Sequence, residues 1–86
     1  MLKVIYSTRF ISQFERLDKN TQKHVINKIK LFLLDIKHPS LRTHKLNGQL
    51  KNKFAFSTDY PMRIVFEYGE KNTVIFLKIG DHSIYR

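Results

Sequence analysis

Residues 53–79 read KFAFSTDYPMRIVFEYGEKNTVIFLKI, and this stretch decides the fold. It holds three runs rich in β-branched and aromatic residues, separated by turn-forming residues at 59–61 and 69–72. The runs predict strands over Lys53–Thr58, Met62–Tyr68 and Thr73–Ile79. Because the connections between them are short, the three strands are expected to pair antiparallel as a meander.

Period-two alternation gives the first two of these strands one apolar face that helices can cover. That face carries Phe54, Phe56, Met62, Ile64 and Phe66. Arg63, Val65 and Glu67 then point to the other side of the sheet. The third run is apolar at nearly every position, which is typical of a strand covered on both faces.

The N-terminal half predicts one short strand and two helices. Leu2–Tyr6 is rich in β-forming residues, and Ser7-Thr8 is a helix start. The capping residues Asp18 to Thr21 end the first helix and begin a longer second one. Six apolar residues of that helix form a stripe at spacings of three and four, and His38-Pro39-Ser40 ends it. The stripe consists of Val25, Ile26, Ile29, Phe32, Leu33 and Ile36.

These elements predict an α+β fold. The expected architecture is a four-stranded, mostly antiparallel sheet with an N-terminal helical pair packed on one face and the opposite face partly open. A length of 86 residues favours a single domain over 1–86. The chain is 42% hydrophobic and 13% aromatic, which is enough apolar material for a core.

The charge of the chain indicates a polyanionic partner. Sixteen Lys and Arg against seven Asp and Glu give a formal net charge of +9. Between residues 36 and 58 there is no acidic residue, whereas five cations and two histidines accumulate there. Such an imbalance is typical of nucleic-acid-binding proteins. The cations are Lys37, Arg42, Lys45, Lys51 and Lys53, and the histidines are His38 and His44.

Several classes of site are excluded by composition and spacing. The chain has no cysteine, so a disulfide framework, a thiol nucleophile and cysteine-containing zinc sites are ruled out. We find no histidines at metal-ligand spacing, no glycine-rich phosphate loop and no Ser/His/Asp arrangement. No signal peptide or membrane span is visible, so a cytoplasmic protein is expected.

Three segments together resemble a known family. They are the basic loop His44–Leu50, the strand pair Phe54–Ser57 with Met62–Tyr68, and the tail Ile79–Arg86. In this order they resemble the RelE/ParE toxin superfamily, and in particular its YafQ-like mRNA-interferase branch. The resemblance covers nearly the whole chain. It implies the toxin of a type II toxin–antitoxin system, monomeric when free and hetero-oligomeric with its cognate antitoxin, which cleaves mRNA on the ribosome.

RNA cleavage needs few protein groups, because RNA carries its own nucleophile in the 2′-hydroxyl. A base, an acid and a cation suffice, so no metal and no small-molecule cofactor are expected. Arg63 is the candidate cation, because its guanidinium can hold two phosphate oxygens. The alternative is an exposed arginine paired with Glu67.

The resemblance implies further site residues. His82 matches the histidine of the Gly-x-His tail of YafQ-like toxins, where it acts in acid/base chemistry, and His44 resembles a functional histidine of their loop. Tyr85 is a candidate for stacking on a base or orienting the hydroxyl, or else packs the chain end onto the sheet. Asp59 lies where such toxins often carry an acidic residue, although turn formation explains it equally well.

The remaining basic residues are candidate contacts to RNA phosphates, on mRNA or ribosomal RNA, with solvated charge as the alternative. They are Arg42, Lys45, Lys51, Lys53 and Arg86. RelE itself uses two lysines on the strand that here carries Ala55 and Ser57. Lys51 and Lys53 do not clearly substitute, since their parity and spacing differ, so a histidine-based scheme is favoured.

Other functions remain open at this point. ParE-like members share the expected fold, inhibit DNA gyrase and need no catalytic residues. A toxin relic or a simple nucleic-acid-binding module is also compatible with the charge. The combination of a proton carrier, His82, with a phosphate-binding cation, Arg63, favours mRNA cleavage.

Overall fold

The structure, a computed structural model, describes residues 2–48, 52–59, 62–81 and 84. Strand β1 (Lys3–Tyr6) leads into helix α1 (Thr8–Glu15), which helix α2 (Lys19–Leu34) follows. A 3₁₀ turn (Pro39–Leu41) then precedes the short strand β2 (His44–Lys45). The remaining elements are the strands β3 (Phe54–Asp59), β4 (Met62–Tyr68) and β5 (Thr73–Gly80).

Within the described residues the strands form one five-stranded sheet in the order β1-β5-β4-β3-β2. β1 pairs parallel with β5, and the other three pairings are antiparallel. The α+β class is thus confirmed, but the expected count of four strands is wrong. The extra strand is β2, whose two residues are too few to give an alternating pattern.

Local capping explains where the helices begin. The Ser7 hydroxyl oxygen accepts a hydrogen bond from the Phe10 amide at 3.0 Å, and the Asp18 carboxylate accepts one from the Thr21 amide at 2.7 Å. The bonds from Thr21 hold the pKa of Asp18 below its ordinary value of 3.8. Helix α2 ends at Leu34, earlier than expected, so Ile36 lies beyond it.

Aromatic packing joins both helices to one side of the sheet. Phe10 of α1 and Phe32 of α2 are buried in the same cluster as Phe56, Phe66 and Phe76 of the strands. Phe32 lies at its centre: its ring stacks on Phe56 at 4.2 Å and meets Phe66 edge-on at 4.9 Å. The side chains on the other side of the sheet therefore face away from this core.

β5 has an irregularity at which two backbone groups form hydrogen bonds with side chains of the N-terminal segment. The pairing of β4 with β5 shifts register between Val65 and Phe66, and β1 pairs with β5 only as far as Phe76. Beyond that point the Ser7 hydroxyl donates to the Leu77 carbonyl at 2.8 Å, and the Ile79 amide donates to Gln13 Oε1 at 2.8 Å. Two backbone groups at the shift thus find partners from the α1 segment.

This arrangement predicts a measurable cost of removing the glutamine. We expect Gln13→Ala to lower the free energy of unfolding by about 1–2 kcal/mol, because the Ile79 amide loses its acceptor. Urea denaturation measures the change. Gln13→Glu keeps an acceptor oxygen at the same position and should recover most of the loss. Equal destabilisation by the two variants would contradict the role of this hydrogen bond.

Candidate nucleic-acid interface

The sheet surface opposite the helices carries two of the predicted functional residues, Arg63 and Lys53, and His44 lies at its edge. We call it the open face and define it by Lys53, Ala55, Ser57, Arg63, Val65, Glu67 and Lys78. Residues that pair across neighbouring strands form rows on this face. Ser57 and Arg63 belong to one row, and Ala55, Val65 and Lys78 belong to the next. On the edge strand β2, His44 pairs with Ala55 and extends that row.

Arg63 lies near the middle of the open face. It is on the central strand β4, next to Ser57 on one side and to Gly80 on the other. Its side chain is half-buried, and Nη1 donates to the Met62 carbonyl at 3.1 Å. Because Gly80 has no side chain, the position beside Arg63 on β5 leaves room for the side chain of Ile84. The predicted orientation of Arg63, away from the Phe66 side, agrees with the strand register.

Lys78 is a second cation on this face, and sequence reasoning missed it. It pairs with Val65, so it is a diagonal neighbour of Arg63 on the adjacent strand, with Cα atoms roughly 7 Å apart. Lys78 is only 8% exposed. Desolvation, followed by repulsion from Arg9 and Lys53, lowers its pKa below the ordinary 10.5. A lone lysine inside the apolar run TVIFLKI was the available signal.

The burial of Lys78 predicts a pH-dependent stability. Below its lowered pKa both folded and unfolded chains carry the proton, and the cost of burying the charge is fully present. Between that pKa and 10.5 the unfolded chain binds more protons, so stability rises with pH. Lys78→Met should therefore be more stable than wild type at pH 7, with the difference shrinking toward pH 10.

Urea denaturation across this pH range measures the effect. Lys23→Met is the control, because Lys23 is exposed on α2 and its replacement should leave a pH-independent difference. A constant gap between wild type and Lys78→Met at all pH values would contradict the burial of an ammonium group at this position.

Lys53 lies on a different face of the sheet from the one that the sequence predicts. Its Nζ lies 4.0 Å from Glu67 Oε1, and Glu67 is on the open face. Lys53 therefore has the same parity as Ala55 and Ser57, contrary to the expectation that its parity differs. The contact also bears on Arg63, because Lys53 engages the carboxylate that was the alternative partner of the arginine.

His44 is oriented by a backbone hydrogen bond. It was expected in a loop, but it lies on strand β2, where its Nδ1 is 2.9 Å from the Arg42 carbonyl. A carbonyl oxygen only accepts, so Nδ1 carries the proton and Nε2 of the neutral ring has a free lone pair. Arg42 supplies this carbonyl from a left-handed conformation, with φ of 50°. The exposed imidazole is thus suited to accept a proton.

A small apolar cluster covers part of the open face. Leu46, Ala55 and Val65 are buried there, and Leu77 and Ile84 pack against them. Ile84 also passes so close to Gly80 that a Cβ at this glycine would collide with its side chain. Glycine at position 80 therefore leaves room for the Ile84 side chain against the sheet.

The other predicted residues fall into two groups. Arg42 and Lys45 are exposed and line a cleft beside β2, apart from the open face. His82, Tyr85, Lys51 and Arg86 lie outside the described residues, and so does the side chain of Asp59. The structure thus brings together Arg63, Lys78, Lys53 and His44 around one surface.

Metal-binding clusters and membrane-spanning helices are both absent from the described part of the chain. No group of three or more His, Cys, Asp or Glu side chains there is placed to hold a metal ion. Among the same residues, no helix has the length and apolar character needed to span a bilayer.

Comparisons with known proteins identify the fold. No protein-family model matches the chain, and no curated protein sequence matches it. Solved structures do match over almost their whole length. A metal-bound toxin from Helicobacter pylori has a TM-score of 0.79 at 22% identity, with 100% of both chains covered.

Two other matches come from different bacteria. The RelBE2 toxin–antitoxin complex from Mycobacterium tuberculosis has a TM-score of 0.77 at 15% identity, covering 94% of this chain and 98% of that one. YafQ from E. coli has a TM-score of 0.75 at 13% identity, covering 99% and 98%. The chain therefore has the fold of the RelE/ParE toxins, as its sequence resemblance implies.

Proposed function

We propose that this protein is the toxin of a type II toxin–antitoxin system and a metal-independent endoribonuclease that cleaves mRNA on the ribosome. The observation that carries the proposal is that Arg63, Lys78 and His44 lie in two neighbouring rows of the sheet face that the helices leave uncovered. The fold and the net charge of +9 support it. Its expected location is the cytoplasm.

The chemistry follows from the residue types. The 2′-oxygen of the RNA bonds to phosphorus while the bond from phosphorus to the 5′-oxygen breaks. A base takes the proton of the 2′-hydroxyl, and an acid returns one to the departing 5′-oxygen. His44 supplies the base through Nε2, because its Nδ1 proton is held by the Arg42 carbonyl.

Charge on the phosphate is met by the two cations of the open face. Arg63 binds two phosphate oxygens through its guanidinium, and Lys78 adds a positive charge from the neighbouring strand. Both groups act where water is partly excluded, so their effect on the developing charge is larger than in bulk solvent. His82 is proposed as the acid, Tyr85 as the group that stacks on a base, and Asp59 as a further polar group.

Basic residues around this centre are proposed to bind the RNA on either side of the cut. Lys53 and Lys51 contact phosphates flanking the cut, and Arg86 does so from the tail. A cognate antitoxin binds the protein and neutralises it, as the antitoxin in the mycobacterial RelBE2 complex accompanies its toxin. The free toxin is proposed to be monomeric and the complex hetero-oligomeric.

An in vitro translation reaction tests the function. We expect the purified protein to cut the translated message at codon boundaries, mapped by primer extension, and His82→Ala to lose most of this cleavage. Message without ribosomes is the parallel reaction that tests ribosome dependence. Intact message, combined with inhibition of DNA supercoiling by purified gyrase, would overturn the proposal in favour of a ParE-like inhibitor.

A further inference from the structure

We propose that a cleft beside β2, on the helical side of the sheet, binds one unstacked nucleotide of single-stranded RNA. The proposal rests on the proposed function only in taking RNA as the ligand. The cleft measures about 500 Å³ and is lined by residues 36–39 and 42–45 together with Phe54 and Tyr68. Its volume lies within the range of natural small-ligand pockets.

An aromatic surface forms one part of this cleft. Tyr68 is 49% exposed at the end of β4, beyond the part of the sheet where Phe32 packs. Its ring meets Phe54 edge-on at 5.1 Å and Phe66 edge-on at 5.6 Å. The tyrosine is thus held on one side by other rings and open on the other. An aromatic ring in this state is suited to stack on a nucleobase.

The opposite part of the cleft is basic. Lys37, Arg42 and Lys45 contribute three positive charges, and none of the lining residues is acidic. Such a concentration of one sign attracts phosphate. His38 adds a donor: its Nδ1 accepts the Ser40 amide at 3.2 Å, so the proton of the neutral ring lies on Nε2. Base-stacking and phosphate-binding groups therefore occur side by side.

The loop that carries these cations is held in one shape. The Thr43 hydroxyl donates to the Ile36 carbonyl at 2.8 Å and ties its two ends together. Within it, Arg42 adopts the left-handed conformation, which glycine adopts at lower energetic cost. This conformation ends the 3₁₀ turn, and the Arg42 amide donates there to the Pro39 carbonyl at 3.3 Å.

His44 connects this cleft with the open face. It lines the cleft and also extends the row of Ala55, Val65 and Lys78. An RNA strand that crosses the β2 edge would place one nucleotide in the cleft and a different phosphate beside Arg63. The cleft then binds a nucleotide flanking the cut, so it contributes to affinity and base preference and not to the chemical step.

Binding of a labelled oligonucleotide tests the inference. The probe is a fluorescein-labelled hexamer of adenosines with 2′-O-methyl groups, which cannot be cut because the nucleophile is blocked. Fluorescence anisotropy at low salt measures the Kd. We expect Tyr68→Leu to weaken binding by roughly 10-fold, since it removes one stacked base. Tyr6→Leu is the matched control, because Tyr6 is 44% exposed in a different groove and should change binding less than 2-fold.

A second variant keeps the test decisive if Tyr68→Leu fails to fold. Arg42→Gly relieves an unfavourable backbone conformation and removes one cation of the cleft. It should weaken binding several-fold more than Lys23→Ala, which removes the same charge from an exposed site on α2. Equal effects of these two variants, or of the two tyrosine variants, would overturn the inference. Equal affinity for an oligoglutamate of the same charge would also overturn it.

Failure of this inference can be told apart from failure of the proposed function. Normal mRNA cleavage with hexamer binding that is insensitive to Tyr68→Leu and Arg42→Gly would reject the cleft alone. Hexamer binding that depends on Tyr68, in a protein that cuts no message, would reject the ribonuclease and keep the cleft.

Discussion

Replacing Phe32 by alanine is expected to lower the free energy of unfolding by about 4 kcal/mol. The ring is fully buried and stacks on Phe56 at 4.2 Å, while Phe66 and Phe76 meet it edge-on at 4.9 and 5.7 Å. Three strands therefore lose their contact with helix α2 at one point. Since small domains are stable by only about 5–15 kcal/mol, such a loss removes much of the stability.

The same helix provides the control for this prediction. Leu34 is two residues further along α2 and is 85% exposed. Leu34→Ala deletes a large apolar side chain without opening a cavity, so its effect should stay within about 0.5 kcal/mol. Urea denaturation at constant pH compares the two variants. Similar losses at the two positions would show that the aromatic cluster does not hold the helix to the sheet.

Long strands are predicted from the sequence more closely than short ones. β3, β4 and β5 have six to eight residues, so alternation and turn residues predicted each of them closely. β2 has two residues, and its pairing with β3 is set by contacts between distant parts of the chain. Local pattern does not contain that information, and the predicted sheet therefore lacked one strand.

The candidate site could be predicted only where alternation along a strand decides which face of the sheet a side chain occupies. Alternation placed Arg63 opposite the helices, because the neighbouring Ile64 and Phe66 are apolar. Lys78 was missed, because its strand is apolar on both faces and the register shift beside it disturbs the alternation. The hydrogen bond that fixes the His44 tautomer depends on the backbone of Arg42, which no residue pattern reveals.

Loss of the guanidinium at position 63 should reduce the proposed mRNA cleavage by roughly 100-fold to 1,000-fold, the usual effect of removing a donor from a developing oxyanion. Arg63→Ala should keep the fold, since the side chain is half-buried on the open face and belongs to neither apolar cluster. Cleavage rates in the translation reaction, compared at equal amounts of folded protein, measure the effect. Arg16→Ala removes an exposed arginine at the end of α1 and should cut like wild type.

Arg63→Lys separates charge from geometry at this position. Lysine keeps the positive charge but lacks the planar fork that binds two phosphate oxygens, so cleavage should recover only in part. Full recovery would mean that Arg63 acts as a point charge, equivalent to the neighbouring Lys78. Wild-type cleavage by Arg63→Ala would be more serious, because it would show that the phosphate binds elsewhere than on the central strand of the open face. The resulting pattern therefore decides whether this face is a catalytic surface or only a basic one.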